Sequence, residues 1–128
     1  MKKIILLTGI VSLATHTCAG IPDTQAHRAI VGEAAGDGFT VQLGVACAIR
    51  NRGTLHGVYG VNAAHNANEP DWVWEAAARA WRESAQHDIT GGATHFGSRD
   101  DVRKGTFKGL TLTVVLGTDT HATYFFKR

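Results

Sequence analysis

Residues 29–38 read AIVGEAAGDG, and one charged residue among small and apolar ones, Glu33, decides how the chain is read. Taken as a helix over residues 22–35, the segment places Ala26, Ile30 and Glu33 at i, i+4 and i+7, on one face. Glu33 then points where the helix packs. Burial disfavours the charged form of a carboxylate, so a Glu lining a cleft on such a stripe stays protonated near neutrality and has a proton to give. Two plainer readings compete with it: a Glu snorkelling at the helix end, and one ion-paired with Arg28 or Arg50.

Outward from this stretch, Pro22, Asp23 and Thr24 supply the start signals of the helix, and Gly36-Asp37-Gly38 ends it. A second helix is expected over residues 39–52, with Phe39, Leu43, Ala46 and Ile49 on one face and Gly53 as its stop. Its apolar density predicts a central, buried position, with Asn51 and Arg52 capping its last carbonyls. Residues 54–70 show neither helical nor alternating periodicity and read as a long loop with at most one helical turn. Asp71 is expected to cap a third helix over residues 72–86, with Val73, Ala77, Ala80 and Trp81 as its inner stripe. Trp72 and Trp74 fall nearer the rim, where an indole either stacks on a sugar face or packs at the core edge.

Beyond Gly91-Gly92 the composition turns to Thr, Val, Phe and Tyr in short runs over residues 93–97, 110–116 and 122–127, which predicts a small antiparallel sheet. Residues 98–109 carry Arg99, Asp100, Asp101, Arg103, Lys104 and Lys108 and read as a solvated loop. Helices first and a small sheet after them make an α+β domain.

The 128 residues suffice for one domain. Residues 1–20 stand apart: Lys2 and Lys3, an apolar run, then Thr17-Cys18-Ala19, the pattern of a secretory signal peptide. The apolar run is short of the ~20 residues a spanning helix needs, so no stable membrane anchor is expected. The expectation is a periplasmic or secreted monomer whose catalytic domain is residues 21–128. Without the signal, charge goes from 13 basic against 11 acidic residues to 11 against 11. A neutral domain does not suit phosphate-driven binding of nucleic acid. Cys47 would remain as the one thiol, in an apolar run that suggests a buried, inert residue.

Seven histidines raise the question of a metal, but neither H-E-x-x-H nor C-x-x-C occurs. His65 with Glu69 and Glu83 with His87 are the nearest approximations, and such pairs arise by chance. No G-x-S-x-G elbow or phosphate-binding glycine loop is present. Neither a metal nor an organic cofactor is expected. A glycosidase with two carboxylates would need a partner for Glu33. Asp37, four residues on, lies between two glycines and is expected to be solvated.

G-E-A-A-G-D-G at Gly32 to Gly38, Gln42, A-I-R-N-R at Ala48 to Arg52, T-G-G-A-T-H-F at Thr90 to Phe96 and T-V-V-L-G at Thr113 to Gly117 follow one another in a specific order. With the closing stretch from His121 to Phe126, the chain resembles the cell-wall hydrolases of the spore cortex-lytic (SleB) type. The resemblance implies a lysozyme-like, lytic transglycosylase-related domain that cleaves the β-1,4 bond between N-acetylmuramic acid and N-acetylglucosamine in peptidoglycan glycan strands, with Glu33 as the catalytic acid. It makes Thr94 and His95 candidates to hydrogen-bond the glycan, Gly92 a point of close backbone approach, and Tyr124 and Asp37 further substrate-binding candidates. The chain departs from the family pattern at Ala35, where an Arg is common, at Asp37, where a Glu is common, and in residues 60–68, which replace an aromatic-polar motif. These departures bear on substrate grip more than on chemistry. They leave room for a peptidoglycan-binding protein without turnover; a phage-type endolysin that keeps its N-terminal segment is a separate alternative.

Overall fold

The computed structural model describes residues 20–128, so the expected signal segment, Gly20 apart, lies outside the described residues. Helix α1 (Asp23–Ala34) starts after Pro22, whose fixed φ of −61° leads into the first turn. Asp23 does not cap it; its carboxylate accepts the indole N–H of Trp81 at 2.8 Å. Gly38, at a φ of +85°, turns the chain into α2 (Phe39–Arg52), and Gly53, at +75°, ends α2 in the left-handed conformation. Every residue of α2 from Val41 to Ile49 is buried, as its apolar density predicts. Asn51 does not cap the helix. Its amide donates to Asp88 and to the Ala93 carbonyl, each at 3.0 Å, and so ties α2 to the start of the sheet.

The stretch expected as a long loop holds two 3₁₀ turns, Tyr59–Asn62 and Ala64–Asn68. They lie against α1, and glycine makes the closeness possible. A Cβ on Gly32 would fall on the Gly60 carbonyl, and one on Gly60 would come within 2.7 Å of Ala29 O and Glu33 Cγ. Helix α3 (Asp71–Ser84) starts one residue earlier than expected and is preceded by Pro70, so Asp71 is a first-turn residue rather than the cap. Val73, Ala77, Ala80 and Trp81 are its buried stripe, as the periodicity predicts.

Strands β1 (His95–Ser98), β2 (Thr111–Leu116) and β3 (Thr123–Lys127) form an antiparallel sheet in the order β1-β3-β2. A bulge at Thr113 shifts the register of β2, and the Thr113 hydroxyl donates to Phe125 O at 3.2 Å. The sheet seats on α2 at Gly44, where an added Cβ would meet Leu116 and Phe125 side-chain atoms at 2.7 Å. Phe125 is fully buried there. The chain is thus an α+β domain, helices first and sheet after. No helix of the described residues is long and apolar enough to cross a membrane.

Residues 98–109, expected as a solvated loop, contain a fourth helix, α4 (Arg99–Arg103). Ser98 and Asp101 form a capping box: the Asp101 N–H donates to Ser98 Oγ, and Ser98 N–H donates back to the Asp101 carboxylate. Phe107 then folds back to stack on Phe126, ring centroids 4.5 Å apart. The segment is therefore anchored to the sheet, and its charges face a groove as well as solvent.

Candidate active site

A groove of about 800 Å³ runs between the helical part and the sheet, with Glu33 in its wall. Asp37, Arg52 and Tyr59 line it from the helices and loops; His95, Asp101 and His121 line it from the sheet side. Its volume is in the range of ligand sites.

Glu33 comes from the last turn of α1, on the face shared with the buried Ala26 and Ile30. Its partly buried carboxylate accepts one backbone N–H, from Gly60 at 2.8 Å. That contact is built by several residues together. Asn66 donates to the Gly60 carbonyl at 3.0 Å and to Arg28 O at 3.3 Å, holding the 3₁₀ segment on α1. His65 reaches Gly32 O at 3.1 Å and pairs with Glu69 at 3.0 Å. The arginines that offered a plainer account of Glu33 point elsewhere: Arg28 donates to Val61 O, and Arg50 to Ser84 and to Trp81 O. Burial pushes the Glu33 carboxyl above the ordinary carboxylate range; the Gly60 N–H opposes this, the Asp101 charge adds to it, and His65 opposes it. A half-buried carboxyl whose pKa is raised by burial, in a groove wall, is a candidate general acid.

The other residues singled out by sequence fall in two groups. His95 and Asp37 line the groove with Glu33, whereas Thr94, Gly92 and Tyr124 are not among its lining residues. Thr94 stands behind His95, its hydroxyl 2.9 Å from His95 Nδ1, which leaves Nε2 without a partner among the described residues. Burial, followed by the charges of Arg52 and Arg128, lowers the His95 pKa and favours a neutral ring. The Tyr124 hydroxyl oxygen accepts from Arg99 Nε at 3.4 Å, and Arg99 does line the groove. Asp37 is more sheltered than expected, with His121 Nδ1 3.7 Å away. Trp72 is exposed and does not line the groove, and Trp74 packs at the edge of the core.

Gly92 serves the turn that carries His95. Asp88 accepts from Thr90 N–H (2.8 Å), Thr90 Oγ1 (2.6 Å), Gly92 N–H (2.9 Å) and Asn51 Nδ2 (3.0 Å). Burial alone would raise the Asp88 pKa, but these donors outweigh it and hold the carboxylate below its ordinary range. Gly91 and Gly92 both take positive φ values, +65° and +85°, which the turn requires. The turn was visible in the sequence as a glycine pair; Asp88 as its organiser was not.

Among the described residues no group of three or more His, Cys, Asp or Glu side chains is placed to hold a metal ion. Cys47 is a buried free thiol that donates to His87 O at 3.1 Å, and burial raises its pKa. No family model, no curated protein and no solved structure matches the chain.

Proposed function

We propose that the chain is a secreted or periplasmic peptidoglycan glycosidase that cleaves the β-1,4 bond between N-acetylmuramic acid and N-acetylglucosamine, with Glu33 as its acid. The observation that carries the reading is Glu33 itself: a half-buried carboxyl in the wall of a groove, its pKa raised by burial, with one oxygen fixed by Gly60 N–H. The ordered motifs that resemble the SleB type support the same residue in the same role.

Fixing Oε1 by a backbone donor leaves Oε2 as the oxygen that carries the proton. It passes to the glycosidic oxygen as the bond to the muramyl anomeric carbon breaks. Glu33, now a carboxylate, takes the proton of the muramyl 6-hydroxyl as that oxygen closes on the anomeric carbon, giving a 1,6-anhydro end. One residue thus serves as acid and then as base. If water attacks in place of the 6-hydroxyl, the product is an ordinary reducing end.

The test is digestion of purified sacculi by wild-type protein and by Glu33→Gln. Wild type releases muropeptides, and the variant is slower by about 10²–10⁴-fold, the scale of a general acid. Equal release by both removes the assignment. Product mass distinguishes the two outcomes of the second step, because an anhydro end is one water lighter than a reducing end. Sacculus binding without soluble product would identify a binding protein instead.

A further inference from the structure

Arg52 is expected to cap the last carbonyls of α2, yet among the described residues it has neither a hydrogen-bond acceptor nor an ion-pair partner. Its side chain is half-buried and lines the groove. Gly57, at a φ of +79°, lays its backbone against the guanidinium: a Cβ there would lie 3.0 Å from Arg52 Nη2. A partly desolvated guanidinium gains most from a carboxylate, whose two oxygens match its fork of N–H donors.

The remaining charges of the lining gather at the other end of the groove. Helix α2 runs from Val41, whose Cγ2 would be 3.2 Å from a Cβ on Gly117, to Asn51, which donates to Ala93 O just before β1. Strands β1 and β3 pair from His95 with Phe126 to Ser98 with Thr123, so α4 and the turn between β2 and β3 share the Val41 end. At 1.5 Å per residue, Val41 and Arg52 are about 16 Å apart along α2. At the Val41 end, Asp37 faces His121 at 3.7 Å, Asp100 faces Arg103 at 4.0 Å, Ser98 holds Asp101 in the capping box, and Arg99 donates to Tyr124. Asp119 is exposed on the turn itself. His95 lies at the Arg52 end; burial, then the charges of Arg52 and Arg128, favour its neutral ring, so Arg52 is the cation of the lining there. Arg128 is exposed and does not line the groove. A ligand with a carboxylate is thus opposed at the acidic end and drawn to Arg52 at the other.

We propose that Arg52 forms a carboxylate-binding subsite in the groove and selects glycan strands that carry a free carboxylate on the lactyl arm of muramic acid or on the peptide attached to it. The proposal deepens the reading of the groove as a peptidoglycan site and rests on it. A neutral chitin strand has the same β-1,4 linkage and N-acetyl groups but no acid, so it measures what the groove binds without Arg52. In a bare peptidoglycan strand the lactyl group is itself the carboxylate; in a peptide-bearing strand it is an amide, and the carboxylates are those of the peptide.

The test is titration calorimetry on the full chain carrying Glu33→Gln, which slows cleavage of the probes, with peptide-free glycan strands, peptide-bearing strands and chitin oligosaccharides of matched length. With Arg52 in place, at least one anionic strand binds about 10-fold more tightly than chitin, the lower range for a hydrogen-bonded charge. The anionic strand that shows the preference identifies the source of the carboxylate, and the preference narrows as salt is raised. Adding Arg52→Gln removes the preference and leaves chitin binding within about 2-fold of its parent. Arg52→Lys, which keeps the charge at the helix end without the fork, retains part of the preference, and Arg128→Gln retains all of it. No preference in the parent, or one unchanged by Arg52→Gln, overturns the proposal. So does an equal loss of chitin and anionic-strand binding in both Arg52 variants, which marks a structural role. If wild type releases product from sacculi but no preference is found, the subsite alone is lost. If it releases none, the glycosidase reading fails while the calorimetry still decides the role of Arg52.

Discussion

Gly60 N–H and Glu33 Oε1 lie 2.8 Å apart although 27 residues separate them along the chain. The hydrogen bond exists because two glycines let one backbone rest on another: Gly32 faces the Gly60 carbonyl, and Gly60 faces Ala29 O and Glu33 Cγ. Replacing either by alanine forces the 3₁₀ segment away from α1 and removes the N–H from the acid. Displacements of about 1 Å in a catalytic group can cost around 10²-fold. Gly32→Ala and Gly60→Ala should therefore lose activity on that scale, measured as muropeptide release from sacculi. Retained activity in either would mean that the contact does not orient Glu33.

Glu33 should lower the stability of its own fold at neutral pH. Its pKa is raised in the folded protein, chiefly by burial, so the native state binds the proton more tightly than the unfolded chain. Between the unfolded and folded pKa values, stability then falls as pH rises, and the full penalty is present above the folded value. Glu33→Gln removes this penalty. Denaturant unfolding should find the variant more stable than wild type at neutral pH, with the advantage vanishing once pH falls below the ordinary carboxylate range. A constant difference across that range would contradict the raised pKa.

Asp88 has the opposite sign. Hydrogen bonds from Thr90, Asn51 and Gly92 outweigh burial and depress its pKa, so its contribution is present above the unfolded pKa and is lost as pH falls through the folded one. Asp88→Ala leaves the N–H and hydroxyl of the fully buried Thr90 without their acceptor. The expected cost at neutral pH is about 1–3 kcal/mol, the range for stranding a buried donor. Unfolding at pH 7 and again at low pH should show that deficit shrinking. Because the same turn leads into β1, activity should fall with it.

The sequence carried the helices well because each buries one stripe. The periodicity of Val73, Ala77, Ala80 and Trp81 and the unbroken apolar run of α2 both report directly on burial. The Glu33 face was legible for the same reason. The charges of residues 98–109, Asp101 apart, are exposed as their density suggests, but the short helix among them was missed, although the Ser98-x-x-Asp101 spacing of a capping box was its local signal. Asp88 had a local signature too, an Asp two residues before a Thr at a glycine turn. Gly60 had none, since its role depends on a helix 27 residues away. Local patterns reveal which face is buried; the donor that meets a carboxylate across the fold becomes visible only with coordinates.

Tyr59 and Trp72 are both exposed aromatics, at 85% and 66% of their surface, but only Tyr59 lines the groove. An exposed ring at a groove wall can stack on a sugar face at little cost in ordering, an interaction on the order of 0.5–1.5 kcal/mol. Tyr59→Ala should raise the half-saturating concentration of soluble glycan strands by about 2–10-fold. Because the ring is exposed, stability should change by less than about 0.5 kcal/mol. Trp72→Ala is the matched control, since it removes a larger exposed ring from a helix start outside the groove. It should leave both quantities near wild type. An equal effect of the two substitutions on glycan binding would mean that the glycan is not held in the groove that contains Glu33.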